Sequence, residues 1–133
     1  MIEQGIVKLI QSGPAVIALT AGRGGTMAEL LKDETLPSWS YRVVSQVSEY
    51  TLTQRPSLVM KRFQIDAYGA TGGQAVDLAH AIDGVLSGYH GTLTDSDSTV
   101  VNVILQTDEM DFFDDARRSW RKMLEYEVYF FQT

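Results

Sequence analysis

One stretch of the sequence leaves little freedom in how the chain folds. Between residues 75 and 86 the apolar side chains Ala75, Leu78, Ala79, Ile82, Val85 and Leu86 are spaced 3, 1, 3, 3 and 1, a single continuous face of an α-helix. Thr71 and Gln74 have the spacing of a capping box, in which side chains satisfy the free N–H groups of the first turn. Gly88 stands where a left-handed residue closes a helix. The other face is polar (Gln74, Asp77, His80, Asp83, Ser87), so the helix must lie on something apolar. That partner is directly upstream. From Leu58 to Tyr68 residues alternate, with Val59, Phe63, Ile65 and Ala67 on one face and Arg62, Gln64 and Asp66 on the other. Lys61 is the exception on the apolar face.

The flanking elements extend this pair. Ile2, Ile6, Leu9 and Ile10 form the stripe of a short N-terminal helix, with Glu3 in the first turn where the helix dipole favours an acid. Gly13-Pro14 ends it. Ala15 to Ala21 is expected as a buried strand or extended segment, and Thr26 to Glu34 as one or two helical turns through Met27, Leu30 and Leu31. Trp39 to Leu52 is rich in β-formers, and the Gln54–Ser57 turn should join it to the alternating strand as an antiparallel hairpin. After a polar loop, Gly91 to Ser98, a third strand is expected from Thr99 to Gln106. An acidic loop from Asp108 to Asp115 follows, then a fourth strand from about Trp120 to Phe131. Met110, Phe113, Ala116, Trp120 and Met123 also fit a helix, so residues 110–123 keep two assignments.

The fold expected is a single α+β domain over residues 1–133, a mainly antiparallel four- or five-stranded sheet with two main helices in the order α-β-β-α-β-β. At 133 residues, 44% of them hydrophobic, the chain can build a core unaided. It has no cysteine, which removes disulfides, thiolate catalysis and Cys-based metal sites. No run approaches the roughly 20 apolar residues of a membrane span. The apolar Pro14–Leu19 segment is a poor signal sequence because Glu3 and Lys8 precede it, so cytoplasmic synthesis is expected.

Charge bears on the choice of partner. Eleven Lys and Arg face 17 Asp and Glu, a net charge of −6, and phosphate-wrapping proteins are normally basic. The basic stretch Arg117-Arg118-Ser119-Trp120-Arg121-Lys122 has the composition of a nucleic-acid contact. However, Asp108, Glu109, Asp111, Asp114 and Asp115 directly precede it, and ion pairing within or between subunits is the expected role.

Motifs with chemical potential each meet a simpler explanation. Asp95-Ser96-Asp97-Ser98-Thr99 matches the D-x-D-x-T pattern of aspartate-nucleophile phosphotransferases, yet no buried strand precedes it; a solvated turn accounts for it. As a calcium loop it fails at Val100 and Gln106. Gly22-Arg23-Gly24-Gly25-Thr26 lacks the spacing and lysine of a phosphate loop. His80 and His90 are the only histidines; their spacing permits a zinc site with a carboxylate but nothing supports one, and His80 between Asp77 and Asp83 is expected as an exposed ion pair. No catalytic residue, cofactor site or metal site is assigned.

The order of elements, and several stretches in particular, resemble the small tail-completion proteins of long-tailed bacteriophages, also called tail terminators or tail-to-head joining proteins. The similarity covers the helix Ile2 to Gln11, Leu36-Pro37 before the strand Tyr41-Arg42-Val43-Val44-Ser45, and Arg62-Phe63-Gln64-Ile65-Asp66-Ala67-Tyr68-Gly69 followed by the helix Ala75 to Leu86. A C-terminal strand rich in aromatics completes it. The resemblance implies a virion protein, assembled in the host cytoplasm, that sits at the head-proximal end of the tail. It implies a homo-oligomeric, hexameric ring that caps the tail tube, touches the tail tube protein and the head completion or connector protein, and lets genomic DNA pass without specific binding or membrane contact. No catalytic residue comes with it. The loops at Gln54–Ser57, Gly91–Ser98 and Asp108–Asp115 are then the candidates for ring contacts. With the bases that follow the last of them, they supply the interface candidates Arg55, Asp95, Asp97, Asp108, Glu109, Asp111, Asp114, Asp115, Arg117 and Arg118. A different class, a small nucleic-acid- or ligand-binding module using the sheet face or the Arg117–Lys122 stretch, is the alternative. A hydrolase built on Asp95 and Asp97 is a third reading.

Overall fold

The computed structural model describes residues 2–27, 36–48, 57–95, 98–114 and 119–132. Two helices open the chain, α1 (Ile2–Gln11) and α2 (Pro14–Thr20). Three strands follow, β1 (Thr26–Met27), β2 (Ser38–Ser48) and β3 (Ser57–Gly69), then helix α3 (Gly72–Leu86). The chain finishes with β4 (Gly91–Thr92), β5 (Val100–Asp114) and β6 (Ser119–Gln132). The strands form one sheet in the order β1-β2-β3-β6-β5-β4. Only the β1–β2 pair is parallel. The α+β class is as the sequence indicates, with a third helix and a two-residue strand at each edge added to it.

The alternation in β3 does what its pattern requires. Val59, Phe63, Ile65 and Ala67 are buried, and so are their β6 neighbours Leu124, Tyr126, Val128 and Phe130. Helix α3 lies over these two strands and contributes Ala75, Leu78, Ala79, Ile82 and Leu86 to the same core. Ile2, Ile6 and Ile10 of α1 complete it. Lys61, the misfit on the apolar face, pairs with Glu3 of α1, so its charge is matched rather than buried alone. The α3 cap forms as expected: Thr71 Oγ1 accepts from the Gln74 N–H at 3.1 Å. The reciprocal Gln74 Oε1 accepts from the Ala70 N–H, one residue earlier than in the usual box. Tyr126 ties the two layers together, its hydroxyl donating to Asp83 of α3 at 2.8 Å. Burial first, then the Asp83 carboxylate, push the Tyr126 phenol far above its ordinary range.

Several expectations need correction. Ala15 to Ala21 is no strand: residues 14–20 form α2, because Pro14 at the first helical position starts a new helix as readily as it ends the last one. Only Val16 and Thr20 of α2 are buried, so its apolar run does not line the sheet. Thr26 and Met27 pair with Ser40 and Tyr41 as a short strand rather than opening a helix, while residues 28–34 lie outside the described residues. The glycines before them allow this close approach. Gly24 has φ of +113°, and a Cβ there would collide with the Trp39 ring.

Two more corrections concern the C-terminal hairpin. The acidic residues 108–114 are not a loop; β5 runs through them to Asp114. Nor are residues 110–114 and 119–123 helical; they belong to β5 and β6. Met110 pairs with Met123 and Phe113 with Trp120 across the hairpin, so a spacing that mimics a helical stripe arises from cross-strand partners. The open flank of β6 decides it, since pairing there satisfies a whole row of backbone N–H and C=O groups. Ser57, assigned to a turn, opens β3, and Gly91–Thr92 inside the polar loop forms β4; residues 54–56 lie outside the described residues.

Candidate functional site

The two sheet faces differ at the hairpin end. Along β5 the acids divide between them. Glu109 and Asp111 lie opposite Leu124 and Lys122, on the face that carries the helices, whereas Asp108 lies opposite Glu125 on the other face. Alternation divides them, and the second of two register shifts, between Gln106 and Asp108, moves the helix-bearing face from the even positions Ile104 and Gln106 back to the odd ones. On the far face Arg62 holds Glu125 and Glu127 at 3.4 and 3.3 Å, and Arg42 lies 3.8 Å from the buried Asp66. That face is a ladder of internally matched charges.

On the helix-bearing face the hairpin runs past α3. Gly72, the first residue of α3, lies under the Trp120 ring, where an added Cβ would make ordinary contact at 3.8 Å. Beyond it Phe113 and Trp120 meet edge-to-face, ring centroids 5.2 Å apart at 70°. Phe113 is 44% and Trp120 42% exposed, although the face they share is buried further along β6. Next to them Lys122 is buried, its ammonium 3.3 Å from Asp111 and 3.9 Å from Glu109. Both carboxylates nevertheless stay open to solvent, with side chains 64% and 55% exposed. The expected ion pairing between the acidic and basic stretches is thus present within the chain at Lys122.

Not all interface candidates come together. Asp108, Glu109 and Asp111 share the hairpin; Asp114 is the last residue of β5. Arg55, Asp97, Asp115, Arg117 and Arg118 lie outside the described residues. Asp95 is elsewhere, at a turn, where its carboxylate accepts from the Thr99 N–H at 2.8 Å and the Thr99 hydroxyl at 2.6 Å. Desolvation works against the Asp95 charge, but these hydrogen bonds outweigh it and hold the carboxyl below its ordinary range. That is the geometry of a turn cap, and it leaves the nucleophile role without a buried strand to support it.

Other motifs resolve in the same way. The Arg23 guanidinium donates to the Pro37 carbonyl, and the glycine loop packs on Trp39. His80 and His90 are exposed. Among the described residues no group of three or more His, Asp or Glu is placed to hold a metal ion. No described helix is long and apolar enough to cross a membrane.

The residues the sequence analysis missed are Phe113 and Trp120. Their pairing was hidden because an i, i+7 spacing suits a helix as well as a hairpin. A signal was present nonetheless: the apolar alternation Trp120, Leu124, Tyr126, Val128, Phe130 runs along β6, broken at Lys122.

No protein-family model matches the chain, and no curated protein sequence matches it. Its fold is shared with a chain in the virion of a native gene transfer agent particle, at a TM-score of 0.72 and 10% identity. The match covers 98% of this chain and 94% of that one. At this identity what the two have in common is the fold.

Proposed function

We propose that this chain is a structural virion protein of the phage-tail type, a tail-completion protein that closes as a ring on the tail tube and offers the surface to which the head attaches. The observation that carries the reading is the end-to-end match just described. A shared architecture with a chain of a virion supports a shell or tail component by analogy of fold. The resemblance to tail-completion proteins, reached from different features of the sequence, points the same way.

The physics of the job fits the molecule. Closed rotational symmetry ends growth where helical stacking would continue it, so a ring works by shape and contact, with no bond-making step. Six copies would carry six times the net charge of −6, which suits a channel through which DNA slides without sticking. The basic stretch of the nucleic-acid alternative is partly used up, because Lys122 is buried and ion-paired.

Mass measurement by light scattering, with and without tail tubes, tests the ring. Six times the 14.8 kDa protomer mass on tube ends is the expected result. A chain that stays a monomer in the presence of tubes contradicts it.

A further inference from the structure

Among the described residues, the two long outer strands of the sheet are paired on their outer side only at one end. On one side β1 pairs with Ser40 and Tyr41 of β2 and leaves the edge from Arg42 to Ser48 open. On the other side β4 pairs with Val100 and Val101 of β5 and leaves the edge from Val103 to Asp114 open. An open edge presents a row of N–H and C=O groups that another strand can take up, and edges are normally blunted with charges or proline. Acids do stand on β5 from Asp108 onward. The stretches Val103–Gln106 and Val43–Val47 carry neither charge nor proline, and Val43, Val44 and Leu105 are 39%, 48% and 47% exposed.

The register sets these two stretches at one height. Across the four long strands Arg42 is level with Asp108, Ser45 with Leu105 and Val47 with Val103. Three antiparallel pairs separate β2 from β5, so these two strands run in opposite directions. A rotation about an axis along the strands keeps both directions. It brings β2 of one copy beside β5 of the next as an antiparallel pair, with the open stretches facing each other. The short strands β1 and β4 guard opposite ends and leave the middle clear. A bulge bends a strand, and the one between Gln106 and Asp108 falls at the height where the neighbour's β1 begins.

We infer that copies of this chain are joined by strand addition, β5 of each pairing with β2 of the next through Val103–Asp108 and Arg42–Val47. This rests on the ring reading above and names the surface that closes the ring. Charge selects the occupant. β2 contains no acid, and at the height of Asp108 the neighbour presents Arg42, which lies near Asp66 of its own chain. A twofold β5–β5 contact over the whole open edge would instead set Asp108 of each copy against Glu109 of the other, and like charges directly opposite repel. The β5-to-β2 contact joins two different surfaces, so it repeats from copy to copy until the rotation closes.

Disulfide trapping tests this, because the chain has no cysteine of its own. Copies carrying Leu105→Cys are mixed with copies carrying Ser45→Cys, loaded on tail tubes and treated with a mild oxidant. A second mixture, with Val47→Cys in place of Ser45→Cys, covers a two-residue slip in register. One of the mixtures should give at least tenfold more linked dimer than either variant alone, and a chain carrying both substitutions should give linked species up to the hexamer. Leu105→Lys, at an exposed position, should keep the far-ultraviolet spectrum of the parent and lose the oligomer on tubes. Dimers from Leu105→Cys alone, its linkage to another tail protein, or an intact oligomer from Leu105→Lys overturn strand addition. So does the absence of linkage in rings of full mass, which leaves the ring reading standing. A parent chain that stays a monomer on tubes overturns both.

Discussion

The two ends of strand β6 obey the same alternation and meet opposite fates. From Leu124 to Phe130 the even-numbered residues disappear beneath α3 and α1, with Tyr126 wholly buried. At Trp120 the same face carries an aromatic side chain 42% exposed. Nothing in the strand differs in kind; what differs is the cover. Period-two patterning fixes which face a residue joins, and the length of the covering helix fixes whether that face is a core or a surface. Helix α3 begins at Gly72, and the hairpin continues beyond it. The covered end is core and the open end is surface.

This contrast has measurable consequences for stability. Phe63→Ala, in the covered half, should cost about 3–5 kcal/mol in denaturant unfolding, since it leaves a cavity under α3. Gly24→Ala should come next, at ~1–3 kcal/mol, because the new Cβ meets the Trp39 ring in a positive-φ conformation. Thr71→Ala removes the α3 cap and should lose about 1 kcal/mol. Trp120→Ala, at the open end, should cost no more than ~1 kcal/mol despite removing a larger side chain than Phe63→Ala. A Trp120 loss equal to that of Phe63 would erase the distinction between the two ends.

The smallest effect is expected at Asp95. Its carboxyl is held below the ordinary carboxylate range, so the folded state favours the ionised form. The stability difference between the parent and Asp95→Ala should therefore be complete at neutral pH. It should shrink as pH falls through the carboxylate range, where protonation removes the acceptor for Thr99. A difference that grows on acidification would contradict the turn-cap assignment.

What the sequence revealed, and what it hid, follows from where the deciding interactions lie. Helices α1 and α3 and strand β3 were legible because periodicity and caps are local: Thr71, Gln74 and Gly88 state the ends of α3 within a few residues of them. Helix α2 was not, because Pro14 both stops and starts a helix and an apolar run of seven residues suits strand and helix alike. Strand β5 was read too short for a related reason. Acids are poor strand formers, and Asp108 to Asp114 take extended form only because β6 offers thirteen paired positions along its length. The candidate site suffers most from this. Its aromatic pair is made by residues on two strands, and only the register brings Phe113 to Trp120. Charge alone singles out Glu109 and Asp111, but the side of the sheet they occupy depends on a bulge that no local pattern announces.

The most direct test of the central claim is electron microscopy of particles made in cells from which this gene has been removed. Filled heads without attached tails, together with tubes of uncontrolled length, are the expected outcome. Tails of normal length joined to heads and fully infectious would contradict the account.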